Sequence, residues 1–189
     1  MKRISIFAAG ILLSASAFAQ TWSIDKAHSR IGFGITHLGI NEIDGDFKTF
    51  DSKITSSKAD FSDATIEFSA DMSSINTDVE ARDKHLKSAD FFDVANNPTM
   101  TFKSTSFKKE KGNNYKVTGN LTMHGVTKPV TFDAVLVGTT THPMTKKEMA
   151  GFRITGIVNR MDYGVGPTMP APMLAEKVEL KANTEFSKD

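Results

Sequence analysis

Apolar and polar side chains alternate with a period of two through most of this chain. Ile31, Phe33 and Ile35 alternate with Arg30, Gly32, Gly34 and Thr36. The pattern returns at Ile66, Phe68, Ala70 and Met72, at Met100 and Phe102, and at Val117, Leu121 and Met123. It returns again at Val130, Phe132 and Ala134, at Phe152, Ile154 and Val158, and at Val178, Leu180, Ala182 and Phe186. Successive side chains of a strand point to opposite faces, so each run predicts a short, half-buried β-strand. Gly112-Asn113-Asn114 lies between two runs and reads as a hairpin loop. Long crossover helices are missing, which predicts an antiparallel sheet. One helical segment interrupts the pattern. Thr77-x-x-Glu80 has the form of a capping box, and a short helix is expected over Val79 to Lys87.

About eight strands in one domain predict an all-β fold closed into a barrel, because closure removes exposed strand edges. A barrel of this size either fills with its own side chains or encloses one small ligand. Alternation assigns two faces to a strand without saying which is inside. The bulky positions are taken as the lining: Phe33, Ile35, Phe68, Met72, Phe102, Leu121, Met123, Phe152 and Ile154, with Phe91, Phe92 and Met169 contributed by loops. Two long loops are expected. Thr139 to Ala150 reads as a mobile hairpin tip. Gly164 to Lys177 carries three prolines beside Met169 and Met173. It reads either as a lid over an apolar ligand or as ordinary packing on the barrel wall.

The N-terminus changes the compartment. Lys2 and Arg3 precede an apolar run from Ile4 to Leu13, and Ala17-Phe18-Ala19 matches a signal-peptidase site. Cleavage after Ala19 leaves one domain over residues 20–189, long enough for a sizeable core. No other run approaches the roughly 18 apolar residues that span a bilayer, so a periplasmic protein without a stable membrane anchor is expected. Cleavage removes two of the 23 basic residues against 22 acidic ones, turning a formal charge of +1 into −1. That balance carries no footprint for nucleic acid. The chain has no cysteine, which excludes disulfides, thiol catalysis and thiolate metal sites.

The polar candidates are few. Arg82, Asp83 and His85 stand together, and an aspartate beside a histidine suits acid–base chemistry. No nucleophile elbow accompanies them, so no catalytic residue is assigned. The alternative is that they bond to loop backbone and fix the helix at the barrel rim. The five histidines show no metal-binding spacing, and no glycine-rich phosphate loop is present, so neither metal nor cofactor is expected. Arg160 suits a phosphate or carboxylate headgroup, since a guanidinium grips both in a fork. An internal ion pair is the alternative.

Five ordered blocks make the chain similar to the YceI-like family. They are Ile24-Asp25-x-x-His28-Ser29-x-Ile31-x-Phe33-x-Ile35-x-His37-Leu38-Gly39, then Gly45-x-Phe47-x-x-Phe50, then Arg82-Asp83-x-His85-Leu86-x-Ser88-x-Asp90-Phe91-Phe92-Asp93 with Pro98-x-x-Thr101-Phe102. Gly119-x-Leu121-Thr122-x-His124-Gly125-Val126-Thr127-Lys128-Pro129-Val130 follows, and Asn159-Arg160-x-Asp162-Tyr163-Gly164 with Val178-x-Leu180 closes the set. The resemblance implies a lipocalin-like barrel around an elongated apolar cavity. It implies an isoprenoid or other long-chain amphiphile as ligand, such as a quinone, a prenyl chain or a fatty chain. Arg82, His85 and Arg160 are then candidates for rim or headgroup contacts. Two rival readings stand beside this one: a lipid-acting hydrolase or isomerase using Asp83, His85 and Arg160, and a stress or interaction barrel without ligand. A barrel with exposed loops is compatible with a homodimer.

Overall fold

The structure is a computed structural model that describes residues 19–189. The expected signal peptide lies outside the described residues except for Ala19. The strands are β1 (Gln20–Ile24), β2 (Arg30–His37), β3 (Asn41–Phe47), β4 (Phe50–Ser56), β5 (Thr65–Asp71) and β6 (Ile75–Asn76), then β7 (Thr99–Lys109), β8 (Asn114–Met123), β9 (Val126–Thr141), β10 (Glu148–Asn159) and β11 (Leu174–Lys188). All pairings are antiparallel. The order β1-β4-β5-β7-β8-β9-β10-β11 returns to β1, which closes an eight-stranded barrel as expected.

The remaining strands branch from β11. Its Phe186–Lys188 end pairs with β1, whereas Leu174–Asn183 pairs with β2. The fork at Thr184–Glu185 is stitched by two bonds. Asp25 N–H donates to the Glu185 carbonyl at 2.8 Å, and Glu185 N–H donates to Ser29 Oγ at 3.0 Å. The β2-β3-β6 flap carries the wall outward toward helix α1 (Glu80–Lys87). Alternation did not mark β3 or β4, because small or polar residues share their inward face with Phe47, Phe50 and Ile54. The Phe33 ring lies against Gly45, where a Cβ would sit 2.4 Å from Phe33 Cζ. In β4, Ser52 and Ser56 face inward: Ser52 Oγ donates to the Glu67 carbonyl, and Ser56 Oγ donates to Asp63 Oδ1 at 2.6 Å and accepts from Lys58 N–H. A buried hydroxyl with a partner costs little, and it breaks the apolar rhythm.

The capping box is not formed. Val79 is the N-cap residue and makes no side-chain cap bond. The Thr77 hydroxyl is instead held by Asp83, whose Oδ1 accepts from Thr77 Oγ1 at 2.6 Å and from Thr77 N–H at 2.8 Å. The loop expected over Thr139 to Ala150 is also shorter: β9 and β10 extend through Thr141 and from Glu148. His142 organises the tip, its Nδ1 accepting from the N–H groups of Met144 and Thr145.

The barrel end bearing the 57–64 loop is plugged by aromatics. Phe61 is buried and packs edge-on against Trp22 at 5.1 Å and against Phe152 at 5.2 Å. The plug is held by two aspartates. Asp63 accepts from Ser56 Oγ and from the Ser57 and Lys58 N–H groups, and these bonds hold its carboxyl well below the usual range. The Lys109 ammonium, with Ser62, brings Asp60 down to about 2. A carboxyl lowered in the folded state stabilises it above the unfolded value and loses that contribution as pH falls through the folded one. The plug is therefore expected to loosen from about pH 3.8 toward about 2. Trp22, the single tryptophan, reports on it by fluorescence. An unchanged acid response in Asp63→Asn would remove Asp63 from this account.

Candidate ligand cavity

The inner face encloses two chambers. The larger, of about 500 Å³, lies between the flap, α1 and the 160–174 segment, with Phe33, Ile35, Phe91, Phe92, Met123 and Met169 on its wall. The smaller, of about 90 Å³, lies deeper in the barrel, with Phe68, Phe102, Leu121, Phe132 and Ile154 on its wall. Phe47, Met100 and Leu180 border both, so they form the constriction between the two. A pocket of a few hundred Å³ with a mainly apolar wall suits an apolar ligand.

Two residues expected in the lining fall elsewhere. Met72 continues the alternation of β5, but the strand stops at Asp71, whose side chain accepts from Ser73 N–H and turns the chain into a 3-10 helix. Met72 is thus buried away from both chambers. Phe152 points inward like Ile154 but sits at the plugged end, edge-on to Phe61, Phe107 and Phe186. Alternation reports the face of a strand and not the height along the barrel. Of the constriction residues, the alternation marks Met100 and Leu180 and a motif contains Phe47, but none is singled out as lining, because the pattern does not give height.

Arg160 does not reach into the cavity as a free fork. It is 3% exposed and lies beside the larger chamber. Nε donates to the Ala175 carbonyl at 2.9 Å, Nη1 to those of Val165 at 2.8 Å and Gly166 at 2.6 Å, and Nη2 to those of Met169 at 2.7 Å and Leu174 at 3.1 Å. All five carbonyls belong to the proline- and methionine-bearing segment. Neither sequence reading, headgroup grip or internal ion pair, describes this arrangement. No carboxylate lies within ion-pair distance of the guanidinium among the described residues, and burial lowers its pKa. Most of the segment's residues are exposed, but the carbonyls it turns toward the buried Arg160 need partners, and one planar cation supplies them. The segment is a fixed part of the chamber wall.

The trio in the helix behaves similarly. Arg82 donates from Nε to Thr77 Oγ1 at 2.7 Å and from Nη2 to the Thr77 carbonyl at 2.6 Å. Asp83 is occupied by Thr77 from its other side. His85 turns away from Asp83. Its ring packs edge-on against Phe91 at 4.8 Å, and Nε2 is 3.7 Å from Asp90. Asp83 therefore does not orient His85, and the pair lacks the geometry of an acid–base couple. Asp83→Ala is expected to cost about 1–2 kcal/mol by leaving the Thr77 N–H and hydroxyl unpaired, measurable by urea unfolding. His37, Asn41 and His85 also border the larger chamber, and among the described residues their side chains make no hydrogen bond to backbone. They stand where the chamber meets solvent: Asn41 and His85 are exposed and His37 is partly so. Sequence reading missed Asn41, which carries no motif.

Away from the cavity, Asp25, His28 and Glu185 bring possible metal-ligand atoms within 4.8 Å of one another. Asp25 is already used as the cap of the 26–28 turn, accepting from Ala27 N–H and from the His28 ring at 2.8 Å.

The profile of the YceI-like domain matches residues 22–186. The chain belongs to the YceI-like family. Protein YceI of Salmonella agona is 39% identical to it over 181 residues, covering 95% of this chain and 93% of that one. The YceI protein of Campylobacter jejuni, a solved structure, is 30% identical with a TM-score of 0.74, covering 87% of this chain and 96% of that one. A polyisoprenoid binding domain from Saccharophagus degradans, implicated in plant cell wall breakdown, shares the fold at 14% identity, with a TM-score of 0.63 over 90% of this chain and 99% of that one. In this YceI-like chain the Arg82–Asp93 block builds the rim of the larger chamber, and Asn159–Gly164 supplies the arginine that shapes its wall.

Proposed function

We propose that this YceI-like protein is a non-enzymatic carrier. It holds the tail of an isoprenoid or another long-chain amphiphile in the two chambers, in the periplasm after loss of its signal peptide. The observation that carries this reading is the apolar wall running from the larger chamber through Phe47, Met100 and Leu180 into the smaller one. A chain with its headgroup beside His37, Asn41 and His85 would thread its tail toward Phe102 and Phe132. The polyisoprenoid binding domain with the same fold supports the ligand class. Burial of one CH₂ contributes about 0.8 kcal/mol, so a five-carbon isoprene unit contributes about 4 kcal/mol relative to water. A membrane offers the tail the same shelter. Net preference then comes from fit and headgroup contacts, which suits a shuttle or store.

Native mass spectrometry of the protein purified from its own cells, followed by solvent extraction, tests this reading. The expected result is an added mass that extracts as a prenyl chain, a quinone or a fatty amphiphile, on a chain beginning at Gln20. A bare chain that stays bare after incubation with those lipids would overturn it.

A further inference from the structure

The mouth of the larger chamber carries apolar side chains that the fold leaves in water. Leu38 and Ile40, in the turn between β2 and β3, are 53% and 85% exposed, and Met173 is 46% exposed. Leu38 and Met173 are joined through the Leu38 N–H, which donates to the Met173 carbonyl at 3.0 Å, and Ile40 lies two residues on in the same turn. Met173 also lines the chamber, and so do His37 and Asn41, which flank the turn. The patch is therefore continuous with the cavity wall.

The turn is also costly in its backbone. Leu38 and Gly39 have φ of 52° and 70°, and Ile40 N–H closes the turn on the His37 carbonyl at 3.2 Å. Two successive residues of positive φ suit Asn-Gly, and a bulky side chain at the first is disfavoured. The β8–β9 turn has the same pair of angles, 51° and 72°, but places polar His124 first and bonds its ring to the Tyr163 carbonyl at 2.8 Å. Leu38 makes no such internal contribution. Its strain and its exposure stand together at the cavity mouth, and retained strain is a pointer to function.

We infer that the Leu38–Ile40 turn and Met173 form a docking tip that inserts into the surface of a lipid bilayer, so that the chamber opens directly onto the membrane. The inference rests on the carrier reading and adds the surface from which cargo is exchanged. A patch of three side chains falls well short of the ~800 Å² per partner of a standard protein–protein interface. Shallow insertion of a few apolar side chains is sufficient for reversible attachment to a bilayer. The contact also keeps an apolar tail out of water during transfer, because patch and wall are one surface.

The test uses purified protein whose N-terminus has been read by mass spectrometry, vesicles of phosphatidylethanolamine with phosphatidylglycerol, and the variant Leu38→Asn/Ile40→Asn. Asparagine suits the turn, so the variant is expected to fold at least as well as the parent, checked by urea unfolding. Vesicle partitioning, measured without added cargo, is expected to fall roughly ten- to a hundredfold and to be insensitive to salt in the parent. Retention of extracted lipid in native mass spectrometry is expected to be unchanged. Equal partitioning of parent and variant would overturn the docking tip, and so would a parent dimer that the variant dissolves. A parent that partitions normally but never retains lipid would instead count against the carrier reading alone.

Discussion

Arg160→Lys is expected to lower folding stability by about 3 kcal/mol and to release the 164–173 segment from the chamber wall. The guanidinium serves five backbone carbonyls from three nitrogens held in one plane. An ammonium has three donors on one atom and no such plane, so at least two carbonyls lose their partner. Each unsatisfied buried group costs about 1–3 kcal/mol. Arg160→Met removes every donor and is expected to cost about 5 kcal/mol or to prevent folding. Urea unfolding measures the loss, and limited proteolysis locates it, since cutting should begin within 164–173. A loss below about 1 kcal/mol in Arg160→Lys, with no new cleavage, would mean that the segment holds its shape without the guanidinium.

Leu180→Trp is expected to close the passage between the chambers. Leu180 borders both, as do Phe47 and Met100, and lies on a strand paired on both sides with β10 and β2. The larger ring has free volume to enter, so the apo protein is expected to lose no more than about 1–3 kcal/mol. The effect on ligand is larger. Each five-carbon unit kept out of the inner chamber forfeits about 4 kcal/mol, roughly a thousandfold in affinity relative to water. Two prenols differing by one isoprene unit, compared in native mass spectrometry, read this out. The parent should favour the longer prenol, and the variant should lose that preference. A variant that keeps it would place the tail elsewhere.

Much of the barrel was legible because a half-buried strand writes its two environments into alternate positions. The runs at 30–36, 65–71, 116–123 and 178–186 lie within observed strands. The signal failed where small or polar residues interrupt the bulky ones on the inward face. Gly45 yields its space to Phe33, Ser52 bonds to the Glu67 carbonyl, and Ser56 bonds to Asp63. It overran where a strand ended, as at Met72. The cavity was legible as an apolar face, and most of its expected lining is found on the chamber walls. The polar residues were the least legible. A side chain's composition says what it can bond, whereas partners are chosen by three-dimensional neighbours.

The sequence by itself determined an all-β barrel, a short helix expected over Val79 to Lys87 and found over Glu80–Lys87, and membership of the YceI-like family, since these rest on local periodicity and ordered motifs. The tertiary structure decided the rest. It divided the interior into two chambers at Phe47, Met100 and Leu180. It turned Arg160 from a candidate grip into the anchor of a wall, and Asp83 from a candidate acid–base partner into a brace for Thr77. It brought Met173 to Leu38 and Ile40, more than 130 residues earlier in the chain, at the mouth. Height along a barrel, partner choice and exposure depend on contacts between distant segments, and those exist only once the sheet has closed.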